Sequence, residues 1–414
     1  MNPASIHPWL LRWLQGDGRI IEDSLPQPDD WTQIVENAKP HGLIPLLHRA
    51  FAHAQPPRIP KAIASSITQC ATETAAKNLA LTAQLGEILR AARARQIPCV
   101  PMRGIALGEQ LYSDSTLRPT GDIDLLVRKE QLSAIRTLLK DVGCYEVEAR
   151  RGFAGEFEYT LEFFKDTPIP LVVEPHWTIA YPPFHARLDM RGVWARCTEV
   201  RIAGIPTLAL GTEDLLIHLC LHLLHHQKNA PVLWMYELDR LIRSCPLNWS
   251  TVGEVANQAG VDSLIHAVLR DVIRLFRTPI PDDAMEQFAA SASSPQAQRI
   301  TALLTQESHL RGRERIAMLL NIKGLRAKVR YAASFLFPST EFIRVQYGVS
   351  SWWQIGWTYV RRACGLLWDS VRGFRALYFK RGHARSIESS WPRSSSADEW
   401  STQNSSAPAA KAQA

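Results

Sequence analysis

Two aspartates, Asp122 and Asp124, stand two residues apart at the start of the apolar stretch Ile123–Val127. Alternate side chains of a strand point to the same face, which places the two carboxylates roughly 6–7 Å apart along the backbone. Adjacent unpaired anions repel each other, and a divalent cation, usually Mg²⁺ where the ligands are oxygens, removes that repulsion. A turn whose acids face solvent is the other explanation for an isolated Asp-x-Asp.

Two further features favour the metal site. Arg103 and Gly104 lie between an extended segment and the start of a helix, where free backbone N–H groups and a close backbone approach suit a phosphate. Glu174 follows a later apolar stretch and is placed to lie beside the aspartates in a sheet. Three carboxylates facing a phosphate-binding turn are suited to metal-dependent phosphoryl or nucleotidyl transfer.

These residues belong to a longer series of motifs: Met102-Arg103-Gly104-Ile105-Ala106-Leu107, Leu111-Tyr112, Leu117-Arg118, Gly121-Asp122-Ile123-Asp124-Leu125-Leu126-Val127 and Val173-Glu174-Pro175-His176-Trp177. The series resembles an uncharacterised bacterial nucleotidyltransferase family of the polymerase-β superfold, and the similarity extends over most of residues 30–380. The resemblance implies that Asp122 and Asp124 bind Mg²⁺, that Glu174 is the third acid and activates an acceptor hydroxyl, and that Gly104 lies under the triphosphate.

The sequence departs from the family pattern at the phosphate turn. Ile105 stands where the superfold usually has a serine, so that position offers no hydroxyl to a phosphate. Arg103 stands where the family has a lysine. The positive charge is kept, but a compact ammonium group is replaced by a planar guanidinium with several N–H donors. The metal site is less affected by these changes than the position of the nucleotide.

Several side chains have two interpretations. Arg118 either clamps a phosphate or forms a salt bridge with Asp122 or Asp114. His176 either positions the acceptor or hydrogen-bonds Glu174, or it packs against Trp177.

Other acids and histidines offer weaker alternatives. The alternating strand predicted over residues 156–163 carries Glu156, Glu158 and Glu162, which are more typical of a solvated face than of the third acid. His218, His222 and His225 have metal-ligand spacing on one helical face, but buried hydrogen-bonding histidines explain them better than zinc does.

The hydrophobic periodicity predicts an α+β protein with an α/β-type core, in which a small mixed sheet is flanked by helices. We expect an N-terminal helical segment over 1–95, a nucleotidyltransferase core over 96–210 and a larger helical domain over 211–381. The serine- and alanine-rich stretch 382–414 is predicted to be disordered.

Composition limits the class of protein. The chain has 414 residues and a formal net charge of +7, which suits an anionic substrate or surface without indicating nucleic acid. Its seven scattered cysteines include no Cys-x-x-Cys pair and predict reduced thiols in the cytoplasm. The sequence shows no signal peptide, and no apolar stretch is long enough to span a membrane.

Near the C-terminus, an apolar seam follows a predicted helix and includes Trp353, Trp357, Val360, Cys364, Leu367, Val371 and Phe374. Packing of this seam onto the helical domain is favoured, and peripheral membrane contact through the 352–379 helix is the alternative. A basic region between Arg311 and Arg330 either lines an anionic cleft or is solvated.

The function predicted from these features is Mg²⁺-dependent transfer of a nucleoside monophosphate from an NTP, such as ATP, with release of pyrophosphate. The acceptor is a hydroxyl or phosphate on a small molecule, peptide or protein. A catalytically silent scaffold of the same fold is one alternative. A nucleic-acid end-modifying enzyme is another, disfavoured because no basic, aromatic-interleaved strand surface is evident.

Overall fold

A computed structural model gives the architecture of the chain. It describes residues 6–18, 26–54, 59–146, 159–166, 170–181, 184–185, 187–226, 230–291, 319, 322, 324–336, 338 and 340–379.

The helices are α1 Pro8–Gln15, α2 Trp31–Ala38, α3 Ile44–Ala54, α4 Lys61–Ala94, α5 Ile105–Tyr112, α6 Leu132–Asp141, α7 Met190–Arg196, α8 Thr212–His225, α9 Val232–Ser244, α10 Trp249–Ala259, α11 Asp262–Phe276, α12 Asp282–Ser291, α13 Leu325–Leu336, α14 Thr340–Tyr347 and α15 Trp352–Phe379. The strands are β1 Cys99–Pro101, β2 Ile123–Val127, β3 Tyr145–Glu146, β4 Phe163–Lys165, β5 Leu171–His176, β6 Thr198–Ile202 and β7 Ile205–Ala209.

A five-stranded sheet with the order β1-β2-β5-β4-β3 carries the candidate site. β2 and β5 run parallel, whereas the other neighbouring strands pair antiparallel. All five residues of β2 are buried, as expected for a central strand covered on both faces. This small mixed sheet surrounded by helices confirms the predicted α+β class.

Two hydrophobic clusters hold these elements together. One joins the sheet to the second half of α4 and to α6, through residues such as Leu85, Leu125 and Leu138. The other joins the N-terminal helices to α8–α11, and Trp9 and Trp31 meet in it edge to face at 5.3 Å. The division into segments at residues 95, 210 and 381 stays a prediction.

The strands around the sheet differ from the sequence-based expectation. β4 begins at Phe163, where the predicted strand over 156–163 was expected to end. The predicted end of the strand at Phe163 was wrong, because the alternation of buried Leu161 and Phe163 with exposed Glu162 continues beyond Phe163. Glu156 and Glu158 lie outside the described residues. The hairpin formed by β6 and β7 was not predicted.

The aromatic seam of α15 does not pack onto the helical domain as expected. Trp353, Trp357, Val360 and Cys364 are exposed. The helix contacts α13 and α14 through its opposite side, where Ile355 is buried. The side chains of Leu367, Val371 and Phe374, the predicted tail 382–414, and Arg311, Arg313, Arg315 and Lys323 of the basic region lie outside the described part. Within the described ranges, no helix is both long and apolar enough to cross a bilayer.

Candidate active site

The register of β2 and β5 builds the centre of the site. Asp124 pairs with Glu174, and Leu126 pairs with His176. Because side chains alternate along a strand, Asp124, Glu174 and His176 share one face of the sheet. Ligand atoms of these three residues all lie within 4.8 Å of one another, and no other group of three metal-ligating side chains comes this close within the described chain.

Asp124 is a buried carboxylate with one oxygen left free. Its Oδ1 accepts a hydrogen bond of 2.6 Å from Arg103 Nη2 and lies 3.0 Å from His176 Nε2. Its Oδ2 is buried without a hydrogen-bond partner. Burial alone would raise the pKa of Asp124, but the Arg103 guanidinium and the hydrogen bond with His176 hold that pKa well below its usual range. The carboxylate is therefore charged and has a lone-pair face available for a cation.

His176 bridges two acids. Its Nε2 lies 3.0 Å from Asp124 Oδ1 and 3.4 Å from Glu174 Oε2. Burial lowers the pKa of His176, but hydrogen bonds with both carboxylates outweigh it and leave the pKa raised above its ordinary value. The arrangement suits a histidine that carries a positive charge between two anions. The predicted hydrogen bond between His176 and Glu174 matches this geometry, and a role of His176 in positioning the acceptor stays a prediction.

Asp122 lies immediately before β2 and is half-buried. Burial and the neighbouring charge of Asp124 raise its pKa to about 6, with Arg103 acting in the opposite direction and Glu174 in the same one. Asp122 is thus within electrostatic reach of the cluster without belonging to the group within 4.8 Å. A cation bound there would favour its ionised form.

Gly104 brings the start of α5 against the loop that carries Asp122. Its φ of +56° is a conformation that other residues rarely adopt. A Cβ at this position would lie 2.8 Å from Thr120 Cγ2 and 3.4 Å from the carbonyl oxygen of Asp122. Glycine is therefore required by both backbone and space. The Met102 N–H donates to the Asp124 carbonyl at 3.1 Å and fixes this turn beside β2.

Arg118 is held by a partner that the sequence did not indicate. Its Nε donates to Glu237 Oε1 at 2.8 Å and its Nη2 to Oε2 at 3.3 Å, and both side chains are buried. Glu237 lies on α9, so this bidentate pair joins the helical part to the loop before β2. The alternatives of a salt bridge with Asp122 or Asp114 were wrong, since Asp114 instead accepts from the Thr116 N–H at 2.9 Å. A role of Arg118 in nucleotide binding stays a prediction.

Helix α8 packs against the Arg103 guanidinium of the site through His222. Arg103 Nη1 lies 2.6 Å from His222 Nδ1, and the Tyr181 hydroxyl lies 2.8 Å from the same ring nitrogen. Burial and the charge of Arg103 lower the pKa of His222 well below its ordinary value, so the ring is neutral and accepts from the guanidinium. His222 and Asp124 therefore hold the guanidinium from two sides.

The histidines of α8 do not act together as metal ligands in the described chain. His218 Nδ1 donates to the Ile179 carbonyl at 2.8 Å, and His225 stacks on Tyr181 with ring centroids 4.4 Å apart. The zinc alternative finds no support, because His218, His222 and His225 do not come together as a metal-binding group. Their helical spacing is explained by packing around Tyr181.

The geometry agrees with a comparison against known protein families. A family model described as an uncharacterised nucleotidyltransferase matches residues 27–277, more than half of the chain. The chain belongs to this nucleotidyltransferase family. No curated protein matches it.

One solved structure is similar to this nucleotidyltransferase, the crystal structure of ANT(2")-Ia in complex with adenylyl-2"-tobramycin. The identity is 20%, the match covers 46% of this chain and 98% of that chain, and the TM-score is 0.28.

Tyr181, His222 and Glu237 were not assigned to the site from the sequence. The sequence around Tyr181 and Glu237 does not mark either residue as a partner of Arg103 or Arg118, and the spacing of His222 from His218 predicts only a shared helical face. Each reaches the site through tertiary contacts with Arg103 or Arg118. Their roles could have been predicted only by knowing which helices pack against the edge of the sheet.

Proposed function

We propose that this nucleotidyltransferase transfers a nucleoside monophosphate from an NTP such as ATP to a hydroxyl or phosphate of an acceptor, with Mg²⁺ as its metal. The observation that carries the proposal is the buried Asp124 carboxylate, whose Oδ2 lacks a hydrogen-bond partner beside Glu174 and His176. A buried anion with an open oxygen is a costly arrangement for folding alone. Carboxylate oxygens are also the ligands that Mg²⁺ prefers.

The residues present fit such an ion. Asp124 and Asp122 would hold it, with Glu174 as the third acid. When bound, the metal supplies positive charge to the triphosphate and to the pyrophosphate that leaves. Arg103 and His176 already neutralise Oδ1 of Asp124, which leaves the second oxygen for the cation.

The reaction exchanges one phosphorus–oxygen bond for another. The acceptor oxygen forms a bond to the α-phosphorus, and the bond from that phosphorus to the bridging oxygen of pyrophosphate breaks. The proton of an acceptor hydroxyl passes to Glu174, whose side chain retains access to solvent. His176, which lies beside Glu174, would orient the acceptor.

The phosphate end of the nucleotide is assigned to the Gly104 turn. The positive φ and the absence of a side chain allow close approach of a phosphate to the backbone at the start of α5. Ile105 supplies no hydroxyl, so the charge on this side comes from Arg103. Its contacts with Asp124 and His222 orient the guanidinium toward the metal-binding acids.

The cytoplasm is the proposed location. All seven cysteines are free, and the thiols of Cys99 and Cys220 are buried with raised pKa values. Unpaired thiols suit a reducing compartment.

The test is to incubate the protein with each α-labelled NTP and Mg²⁺, together with small-molecule, peptide and protein fractions of a lysate. We expect one fraction to acquire label with wild type and to lose it with Asp122→Asn/Asp124→Asn. Asp141→Asn, at a surface carboxylate paired with Arg95, is the matched control and should label like wild type. Equal labelling by wild type and the double variant would exclude Asp122 and Asp124 as the active-site acids. If label is incorporated only into nucleic acid, the acceptor is the end of a polynucleotide and not a small molecule, peptide or protein.

A further inference from the structure

The first half of α15 turns an aromatic surface outward. We define the aromatic face as Trp352, Trp353, Trp357, Val360 and Cys364. The exposed fractions are 84% for Trp352, 59% for Trp353, 64% for Trp357 and 53% for Val360, and Cys364 is exposed too. Exposed indoles concentrated within three turns are unusual on a protein surface and mark a contact site.

The spacing places four of the five members of this face on a single stripe. Trp353, Trp357, Val360 and Cys364 follow one another at four, three and four residues, which places them on one side of a helix. The opposite side carries Ile355 and Thr358, which are buried, and Tyr359, whose hydroxyl donates to the Pro338 carbonyl.

The inner contacts therefore fix the orientation of α15. Arg362, whose Nη1 donates to the Tyr347 hydroxyl at 2.8 Å, ties the helix to α14 on the same inner side. A surface helix of a globular protein normally buries its apolar stripe and exposes its polar one. In α15 the most apolar stripe is left for a partner outside the described chain.

The sequence that forms α13, α14 and the first half of α15 is strongly positive. Residues 324–365 contain six lysines and arginines and one acidic residue, Glu341. Arg326, Arg344 and Arg361 are exposed. On α13, Leu325 and Val329 are exposed as well. The exposed side chains of α13–α15 thus include indoles, aliphatic groups and arginines, and Arg361 is the arginine that flanks the aromatic face on α15 itself.

We propose that this surface binds an anionic lipid bilayer peripherally, with the aromatic face of α15 at the boundary between headgroups and acyl chains. Indoles favour that boundary because one edge is apolar and the other donates a hydrogen bond. Arginines beside them are attracted by lipid phosphates. A second copy of the chain is a poorer occupant, because two copies of a surface with this charge would repel each other.

The test uses the full chain and vesicles of phosphatidylcholine with or without phosphatidylglycerol. We expect co-sedimentation with the vesicles that contain phosphatidylglycerol, weaker binding to phosphatidylcholine alone, and a loss of binding at high salt. Trp353→Ser/Trp357→Ser should lower the partition coefficient at least about tenfold, because the main apolar contacts are removed. Leu79→Ser, at a residue of α4 that is 58% exposed, is the matched control and should bind like wild type.

A second measurement locates the contact. Cys364 is the one cysteine of the seven that is exposed, so an environment-sensitive fluorophore attached there reports on the aromatic face. Its emission should shift to the blue with phosphatidylglycerol vesicles, and labelled Cys364→Ser supplies the background.

Three results would overturn the proposal: no sedimentation of wild type, equal sedimentation of the tryptophan variant, or an unchanged emission spectrum. A dimer in light scattering that dissociates in Trp353→Ser/Trp357→Ser, without vesicle binding, would assign the face to a second copy instead. Unchanged thermal unfolding of both serine variants establishes that the comparison is between folded proteins.

Discussion

Asp124 and Glu174 lie opposite each other at paired positions of the parallel strands β2 and β5. Their separation is therefore set by the hydrogen-bonded ladder rather than by a loop. A slip of one residue would turn one of the two carboxylates to the other face of the sheet. Because both strands are anchored by buried residues on either side of the acids, the pair is held in place before any ligand arrives.

The open oxygen of Asp124 leads to a prediction about divalent cations. In wild type, MgCl₂ should raise the temperature of unfolding, because an ion that binds only the folded state stabilises it. Asp124→Asn removes the charge with little change in shape and should abolish this rise. Nucleotidyl transfer should fall at least about 100-fold, since the metal contributes several kcal/mol to such reactions. Asp283→Asn, on α12, should keep both properties. An equal rise in the unfolding temperature of wild type and of Asp124→Asn would show that the ion binds elsewhere.

Arg103 neutralises Asp124 in the buried site, so its removal should be costly. Arg103→Gln removes one of the two cations beside the buried carboxylate, His176 being the other, and should lower the free energy of unfolding by about 3–5 kcal/mol. Added MgCl₂ should restore part of that loss, because the ion supplies the missing positive charge. Denaturant unfolding with and without MgCl₂ measures both effects. Arg95→Gln, which breaks a surface pair with Asp141, should change stability by no more than about 1 kcal/mol. A loss that MgCl₂ does not reduce would argue against an ion beside Asp124.

The Gly104 turn predicts a strong effect of a single methyl group. Gly104→Ala places a Cβ 2.8 Å from Thr120 Cγ2 in a backbone conformation with a φ of +56°. We expect a loss of about 1–3 kcal/mol in the free energy of unfolding. The KM for the NTP should rise as well, because the phosphate side of the site is displaced. Gly121→Ala is the control, since no atom lies within 4 Å of its added Cβ. Similar stabilities of the two variants would show that the turn relaxes without strain.

Local patterns predicted most of the elements, and tertiary contacts explain the exceptions. The alternation around Asp124 and the three- and four-residue spacing in α4 are local signals, and both elements appear as expected. Glu237 pairs with a residue 119 positions away, so no neighbouring sequence could reveal it. The hairpin of β6 and β7 turns through Ala203 and Gly204, which both have positive φ. Alanine in that conformation is not a recognised turn signal, so the hairpin was missed.

Buried His218 predicts a loss of stability in acid. Burial and the nearby charge of Arg103 lower its pKa from about 6.5 to about 3. Between these two pH values the imidazole is protonated in the unfolded chain and neutral in the folded chain. The free energy of unfolding is therefore highest above pH 6.5 and decreases as the pH falls toward 3. His218→Gln should reduce the slope of unfolding free energy against pH by up to about 1.4 kcal/mol per pH unit. Urea unfolding between neutral and mildly acidic pH measures the slope, and identical slopes would contradict a neutral buried imidazole.

The buried pair of Arg118 and Glu237 predicts coupling between the sheet edge and α9. Arg118→Met and Glu237→Leu should each lower the free energy of unfolding by about 3–5 kcal/mol, because each leaves a single buried charge. The double variant should lose much less than the sum, since no charge is then left without its partner. Denaturant unfolding of the four proteins gives the coupling energy. The same cycle on the exposed pair of Arg95 and Asp141 should give no more than about 1 kcal/mol. Additive losses in the buried cycle would mean that the two side chains are stabilised by other contacts and that α9 is not tied to the site through them.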